Sequence, residues 1–118
     1  MGQGDVAGNM ARLRIAALIS GRGSNLRALL DACAAADFPA QIVLVLSNVA
    51  DAGGLRHAEA AGVATAIVDH RRFAGRSAFE HAMEAEIAAT GAEAIFLAGF
   101  MRLLTPGFVD RWRDRLVN

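Results

Sequence analysis

The chain has 118 residues, of which 54% are hydrophobic and 20% charged, with 12 basic and 12 acidic side chains. This length and composition suit a single globular domain with one core and exclude a disordered chain. The formal net charge of zero gives no broad attraction to nucleic acid or to a membrane surface, and no apolar run approaches the ~18 residues of a membrane span.

The composition along the chain predicts one domain in a reducing compartment. Residues 1–11 lack the long apolar core of a signal peptide, and we expect them to form a flexible leader before a domain of residues 12–118. Cys33 is the only cysteine of the sequence, so it cannot form an internal disulfide. A lone thiol in an alanine-rich helical stretch favours a buried position and a cytoplasmic protein.

Strand-like and helix-like segments alternate along the chain. Short apolar runs predict strands over residues 13–19, 41–46, 63–68 and 94–98. Helical spacing of apolar residues predicts helices over residues 25–36, 51–61 and 77–90.

Two further segments complete the predicted order. Thr105 followed by Pro106 predicts the N-cap and first residue of a short helix, and Leu116 with Val117 begins a fifth strand. Asp51 is expected to cap the second helix. Strands that alternate with helices imply right-handed crossovers and a mostly parallel sheet with helices on both faces. Ligands of such α/β folds bind beyond the carboxyl ends of the strands.

The junction between the first strand and the first helix has the composition of a phosphate-binding loop. It reads Ser-Gly-Arg-Gly-Ser-Asn over residues 20–25. A helix N-terminus presents free backbone N–H groups to an anion, and glycine lets the backbone approach it closely. Leu26 stands where the dinucleotide fingerprint G-x-G-x-x-G needs its third glycine, whereas Ser24 and Asn25 add side-chain donors. The loop predicts one phosphate of a small substrate; the alternative is an ordinary strand-to-helix turn.

The segment after the fourth strand, residues 98–104, is unusually apolar for a loop. It reads Ala-Gly-Phe-Met-Arg-Leu-Leu, although connecting loops are ordinarily polar unless they pack on something. Two interpretations remain open. The loop caps the core beneath the short helix, or it forms a slot for a flat aromatic ligand whose polar edge bonds to loop backbone groups.

The titratable residues do not form a recognisable catalytic or metal-binding set. His57 and His81 fall on predicted helices and are expected to face solvent, whereas His70 lies in a loop at the binding end. No His, Cys or carboxylate cluster has metal-ligand spacing, and no nucleophile is paired with a base. Asn118 follows the fifth strand, and from there its amide could donate to a developing oxyanion.

Three motifs occur in order along the chain: Ile-Ser-Gly-Arg-Gly-Ser-Asn-Leu at residues 19–26, Ser-Asn-x-Ala-Asp-Ala-x-Gly-Leu at 47–55, and Ala-Gly-Phe-Met-Arg-Leu-Leu-Thr-Pro at 98–106. Together they resemble the phosphoribosylglycinamide formyltransferase family, the folate-dependent transformylases of purine synthesis. The resemblance extends over roughly residues 13–118. It implies the formyltransferase fold, with this chain as its N-terminal, Rossmann-like nucleotide-binding part.

The resemblance also implies the roles of site residues. Gly23, Ser24 and Asn25 correspond to the loop that binds the phosphate of glycinamide ribonucleotide. Asn118 matches the family's catalytic asparagine and is expected at the folate as well. The co-substrate is 10-formyltetrahydrofolate, no metal takes part, and the folate site is lined by Arg76, Met101, Arg102, Leu103 and Leu104. The implied partners are small molecules only, and the implied assembly is a monomer or weak homodimer.

The chain departs from the family's pattern after Asn118. There the family continues Ile-His-Pro, whose histidine is the general acid, and an aspartate that raises the pKa of this histidine follows later. Neither is in this chain, and His57, His70 and His81 do not occupy the matching position. We therefore expect the gene product to transfer the formyl group and the 118-residue chain alone to lack this activity, with an exposed sheet edge at the fifth strand.

Three other functions remain open. A formyltetrahydrofolate hydrolase would call for an added N-terminal regulatory domain and a Ser-Lys start to the first loop, which this sequence does not show. A methionyl-tRNA formyltransferase needs a basic surface, which the neutral net charge does not suggest. From another class, the chain could be a non-catalytic module that binds a phosphate or a nucleotide.

Overall fold

The computed structural model of the protein describes residues 12–118, so the expected leader of residues 1–11 lies outside the described part. Strands and helices alternate through the described residues. They are β1 (Leu13–Ile19), α1 (Ser24–Cys33), β2 (Ala40–Ser47), α2 (Gly54–Ala60), β3 (Thr65–Ile67), a short 3₁₀ helix (His70–Arg72), α3 (Arg76–Ala89), β4 (Ala94–Leu97), α4 (Pro106–Arg111) and β5 (Leu116–Val117).

The strands of the described residues form one parallel sheet in the order β3-β2-β1-β4-β5. β1 is central and pairs with β2 on one side and β4 on the other. The chain runs outward from β1 to β3 and then crosses back to β4. Because the loops that follow β1 and β4 leave in opposite directions, a crevice forms between them. The α/β, Rossmann-like fold expected from the sequence is confirmed.

The hydrophobic core lies on both faces of the sheet because successive side chains of β1 point to opposite faces. Ile15, Ala17 and Ile19 belong to the core shared with α1 and α2. Ala16 and Leu18 belong to the core shared with α3 and α4. The last five residues of β1 are all buried. Burial on both faces explains why this strand is a continuous apolar run rather than an alternating one.

The expected cap of the second helix is wrong. Asp51 is exposed and lies in a turn, and α2 begins only at Gly54, behind an N-cap residue Gly53 that makes no side-chain hydrogen bond. The start of α2 is set instead by its packing. The backbone N–H of Gly54 donates to the carbonyl of Gly21 at 3.0 Å, which ties the helix to the loop after β1.

The remaining boundaries follow the sequence more closely. Thr105 caps α4 as predicted, since its hydroxyl accepts the backbone N–H of Phe108 at 3.2 Å. α1 ends at Cys33 rather than near residue 36. β3 is limited to three residues, and within residues 12–118 it pairs only with β2, at the edge of the sheet. These differences shift the ends of elements without changing their order.

The arginines at the carboxyl end of the chain are engaged in local surface contacts: Arg111 with Glu84, Arg113 with Asp110, and Arg115 with the ring of Trp112. These contacts engage the three positive charges locally, at the surface of the chain in and after α4. No helix of the described residues is long and apolar enough to cross a membrane.

Candidate active site

Two loops meet at the crevice between β1 and β4. The first, residues 20–23, joins β1 to α1, and the second, residues 98–105, joins β4 to α4. The backbone N–H of Met101 donates to the Ser20 hydroxyl at 2.9 Å. A cavity of about 230 Å³ lies between the loops and is lined by residues of both. The fold therefore brings the predicted phosphate loop and the predicted apolar loop into one site.

Gly23 gives the first loop its shape. It is the N-cap residue of α1 and has a left-handed backbone with φ of 82°. A Cβ atom added to Gly23 would lie 2.6 Å from the Cα of Gly54, at the start of α2. The N-termini of two helices therefore touch at this glycine pair, and no larger residue fits at Gly23.

The first turn of α1 keeps its hydrogen-bond donors available. The N-cap residue Gly23 has no side chain that could accept a hydrogen bond from the first backbone N–H groups of the helix. The first helical hydrogen bond runs from the Arg27 N–H to the Gly23 carbonyl at 2.8 Å. Ser24 and Asn25 are exposed there, and within residues 12–118 their backbone N–H groups have no partner. The helix dipole favours an anion at this end. The arrangement suits a phosphate group, as the sequence predicts.

The apolar loop packs partly on the core and is partly exposed. Phe100 stacks on the Phe79 ring of α3 with 6.5 Å between centroids and 7° between planes, and Leu104 packs on the same core. By contrast, Met101 is 79% exposed and Leu103 73% exposed. Alternate parts of the loop thus cap the core and present apolar surface to solvent beside the phosphate loop.

The remaining predicted residues lie around the same crevice. Asn118 follows β5 and lines a cavity of about 510 Å³ together with Asn25 and Gly99. It therefore shares a cavity with the phosphate loop. Arg76 is the first residue of α3 and is exposed, and its side chain makes no ion pair with another residue in the described range 12–118. Arg102 is exposed in the apolar loop.

A chain of partly buried hydrogen bonds beneath the site is not predicted by the sequence. Ser20 accepts the Met101 N–H and donates its own proton to Oδ1 of Asn48. The Asn48 side chain is almost fully buried, and its Nδ2 lies 3.1 Å from Nδ1 of His70. Since Asn48 Oδ1 accepts from Ser20, the amide Nδ2 is the Asn48 atom that faces the His70 ring. The chain links the carboxyl ends of β1, β2 and β4 with the 3₁₀ helix.

The turn that carries His70 is fixed by an ion pair. Arg71 donates to Asp69 from Nε at 3.0 Å and from Nη2 at 2.9 Å, and the Arg71 backbone N–H donates as well. These bonds hold the pKa of Asp69 well below its usual range. The only available sequence signals for this network were polar residues directly after apolar strands, at Ser20 and Asn48.

A second polar contact, at the other end of the apolar loop, is also not predicted by the sequence. Glu80 of α3 is 1% exposed, and its carboxylate accepts both the backbone N–H and the hydroxyl of Thr105, at 2.7 Å and 2.6 Å. The helical spacing of apolar residues identifies Phe79 as a core residue, but it does not predict that the neighbouring Glu80 is buried against Thr105. No group of three His, Cys, Asp or Glu side chains within the described residues is placed to hold a metal ion.

A parallel sheet with a glycine loop and an apolar loop at its crossover point defines a class of α/β protein that binds small molecules. Residues 13–118 match the family described as formyl transferase, and the chain belongs to this family. The resemblance seen in the three sequence motifs is thereby confirmed.

The similar proteins point to one branch of the family. The chain is 42% identical over 106 residues to phosphoribosylglycinamide formyltransferase of Escherichia coli (strain K12), covering 90% of this chain and 50% of that protein. It is 40% identical over 116 residues to the trifunctional purine biosynthetic protein adenosine-3 of Gallus gallus, covering 98% of this chain and 11% of that protein.

Solved structures agree with these relatives. Phosphoribosylglycinamide formyltransferase from Brucella melitensis superposes with a TM-score of 0.85 and 45% identity, over 89% of this chain and 55% of that one. Glycinamide ribonucleotide transformylase 1 from Symbiobacterium toebii gives a TM-score of 0.84 with 37% identity, over 90% of this chain and 50% of that one. The chain spans about half the length of the bacterial relatives it matches.

Proposed function

We propose that this protein transfers a formyl group from 10-formyltetrahydrofolate to the amine of 5-phosphoribosylglycinamide in purine synthesis. In this proposal residues 12–118 are the N-terminal nucleotide-binding part of a formyltransferase domain. The observation that carries it is the contact between Met101 and Ser20, which joins an anion-binding loop to an exposed apolar loop. Two ligands of unlike chemistry, a phosphate and a flat ring system, can therefore lie side by side.

The phosphorylated substrate is assigned to the first loop. Gly23, Ser24 and Asn25 offer backbone N–H groups at the positive end of α1, and the two side chains add donors. The phosphate is remote from the amine that reacts. Binding it orients the substrate, so this loop contributes positioning rather than chemistry.

The folate is assigned to the apolar loop with Arg76 and Arg102. Met101 and Leu103 leave most of their apolar surface in water, although complete burial of such a side chain is favourable by about 1.5–3 kcal/mol. A flat ring laid on this surface would recover part of that energy. The backbone of residues 102–104 makes no hydrogen bond with the rest of the described chain, so its N–H and C=O groups can bond to the polar edge of the ring, next to Leu104.

The chemistry is a direct acyl transfer. When bound, the folate supplies an activated formyl group. Attack by the substrate amine places negative charge on the formyl oxygen, and the Asn118 side-chain amide is assigned to donate a hydrogen bond to it. The bond from the formyl carbon to the folate nitrogen then breaks, and this nitrogen leaves with a proton in place of the one that the substrate amine loses. Asn118 lies in the cavity it shares with Asn25, which supports a reacting centre between the two ligand sites.

We also propose that the protein acts in the cytoplasm, on small molecules, as a monomer or weak homodimer that binds neither nucleic acid nor membrane. Cys33 is a free, buried cysteine. Burial raises the pKa of its thiol, against an opposing effect of the nearby Arg12 guanidinium, so the thiol is unreactive. Such a residue suits a reducing compartment.

The test is formyl transfer by the protein as its gene encodes it, with both substrates varied. Ser24→Ala should raise KM for the phosphorylated substrate, and Leu103→Asp should raise KM for the folate. Val109→Asp, a change on the partly exposed α4, serves as the surface control for the latter. Asn118→Ala should lower kcat by about 100-fold or more.

Three outcomes separate this function from its alternatives. Phosphate binding without folate binding would indicate a non-catalytic phosphate-binding module. Release of formate without any transfer would indicate a hydrolase. Transfer to a charged tRNA instead of the ribonucleotide would indicate another branch of the family.

A further inference from the structure

The apolar loop is held at both ends by side chains from other elements. At its start, the Ser20 hydroxyl accepts the N–H of Met101 at 2.9 Å. At its end, the Glu80 carboxylate accepts the N–H of Thr105 at 2.7 Å. Between these two anchors, residues 102–104 make no hydrogen bond within the described chain. The position of this span, which we call the free span because it makes no hydrogen bonds, is therefore set by its ends and by the packing of Leu104 on the core.

The Glu80 anchor also determines where α4 begins. Its second oxygen accepts the Thr105 hydroxyl proton at 2.6 Å, which turns the lone pairs of that hydroxyl toward the helix. Thr105 Oγ1 then accepts the Phe108 N–H at 3.2 Å and caps α4. One carboxylate thus fixes the last residue of the loop and the first turn of the helix together.

The burial of the Glu80 side chain, which anchors the loop, is unfavourable for folding. Glu80 is 1% exposed, and a buried carboxylate destabilises a protein unless its oxygens are well hydrogen-bonded. In the described part of the chain, both oxygens of Glu80 bond to one residue, Thr105. A side chain needed only to fill the core would be apolar at this position, like its neighbour Phe79.

We propose that Glu80 is a positioning residue for the folate site. It holds Thr105, and through it the free span at residues 102–104, in the conformation that receives the folate. This inference rests on the proposed function, which places the folate on that loop. Without the carboxylate, the loop samples other conformations, and ordering it again on binding weakens the affinity. The phosphate loop at Gly23 is anchored separately and keeps its affinity.

The test measures KM for each substrate in the protein as encoded, with a matched control on the same helix. Glu80→Ala should raise KM for the folate by about tenfold and leave KM for the ribonucleotide within a factor of about two. The control is Glu84→Ala, one turn further along α3. Glu84 binds Arg111 and Trp112 near the end of α4 and does not touch the loop, so its replacement should change neither KM.

A conservative variant checks the mechanism. In Glu80→Gln, the amide oxygen can still accept the Thr105 N–H, so most of the folate affinity should return. If Glu80→Ala does not fold, Glu80→Gln and Thr105→Ala decide the matter, since each removes only part of the contact. An equal rise of both KM values, or no change in either, in Glu80→Ala would overturn the positioning role, and the same results in Thr105→Ala would do so if Glu80→Ala does not fold.

Binding of folic acid, measured by calorimetry, separates this inference from the function on which it rests. If the unaltered protein neither binds folic acid nor transfers a formyl group, the proposed function and this inference both fail. If it does both and the Glu80 variants behave like it, only the positioning role of Glu80 fails.

Discussion

Single residues decide the shape of the phosphate loop. Gly23 needs both a positive φ and the absence of a side chain, because Gly54 of α2 lies against it. The neighbouring Gly21 has neither constraint: nothing lies within 4 Å of the position its Cβ would take. Two glycines two residues apart thus differ in function, although the sequence alone presents them as equivalent parts of one loop.

This difference predicts opposite results for two matched substitutions. Gly23→Ala should lower the free energy of unfolding by more than about 2 kcal/mol, because it combines a strained φ with a clash against backbone. Gly21→Ala should leave the free energy of unfolding nearly unchanged. Urea denaturation of both variants beside the unaltered protein checks this. Equal effects of the two substitutions would show that the contact between Gly23 and Gly54 does not limit the loop.

At the scale of elements, α3 holds α4 through two carboxylates one turn apart. Glu80 binds the cap at the start of α4, and Glu84 binds Arg111 and Trp112 near its end. α4 has only six residues, which is too short for an isolated helix to be stable in water. Its stability therefore comes from these contacts and from the fully buried ring of Phe108.

The Glu84 contact predicts a dependence of stability on pH. Hydrogen bonds from Arg111 and Trp112 lower the pKa of Glu84 below the ordinary value of 4.5, against the effect of burial. A lowered pKa in the folded state means that this stabilisation is present above the ordinary value and is lost as the pH falls through the folded one. The difference in unfolding free energy between the unaltered protein and Glu84→Gln should therefore be largest near neutral pH and shrink in acid.

The control for this experiment is Glu86→Gln on the same helix. Glu86 is exposed and makes no ion pair within the described residues, so its replacement should have little effect at either pH. Denaturation of the unaltered protein and of both variants at neutral and acidic pH supplies the six free energies of unfolding that are needed. A Glu84→Gln difference that stays constant with pH would contradict the assigned contact.

Over the whole molecule, the sheet is built outward from β1. This strand pairs on both sides, and its last five residues are buried. β3, in contrast, has three residues, pairs with β2 alone among the described strands, and leaves Ile67 half exposed. The phosphate loop and the apolar loop both emerge from central strands, so the site rests on the best-supported part of the fold.

Native-state hydrogen exchange tests this hierarchy. The backbone amides of β1 should exchange only through global unfolding, whereas those of β3 should exchange by local opening with a lower free energy. Exchange measured at several low denaturant concentrations separates the two routes. Equal protection of β1 and β3 would mean that the described sheet opens as a single unit.

Much of the fold could be predicted from the sequence because it depends on local patterns. Apolar runs mark the strands, and Thr105 with Pro106 marks the start of α4, since capping involves residues only three apart. The loop at Gly23 to Asn25 was predicted for the same reason. Asp51 shows the limit of this approach: it is a good capping residue by type, but the packing of α2 left it in a turn.

The sequence by itself determined the alternation of strands and helices and the residue types that the two loops present. Only the tertiary structure decided that these loops meet, because their contact requires β4 to lie beside β1. The order of strands in a sheet cannot be predicted from the local spacing of apolar residues. Ser20 and Met101 are 81 residues apart in the chain, and Glu80 and Thr105 are 25 apart. Such polar contacts form only after the hydrophobic core has set the order and register of the strands, and they are what give the apolar loop its position.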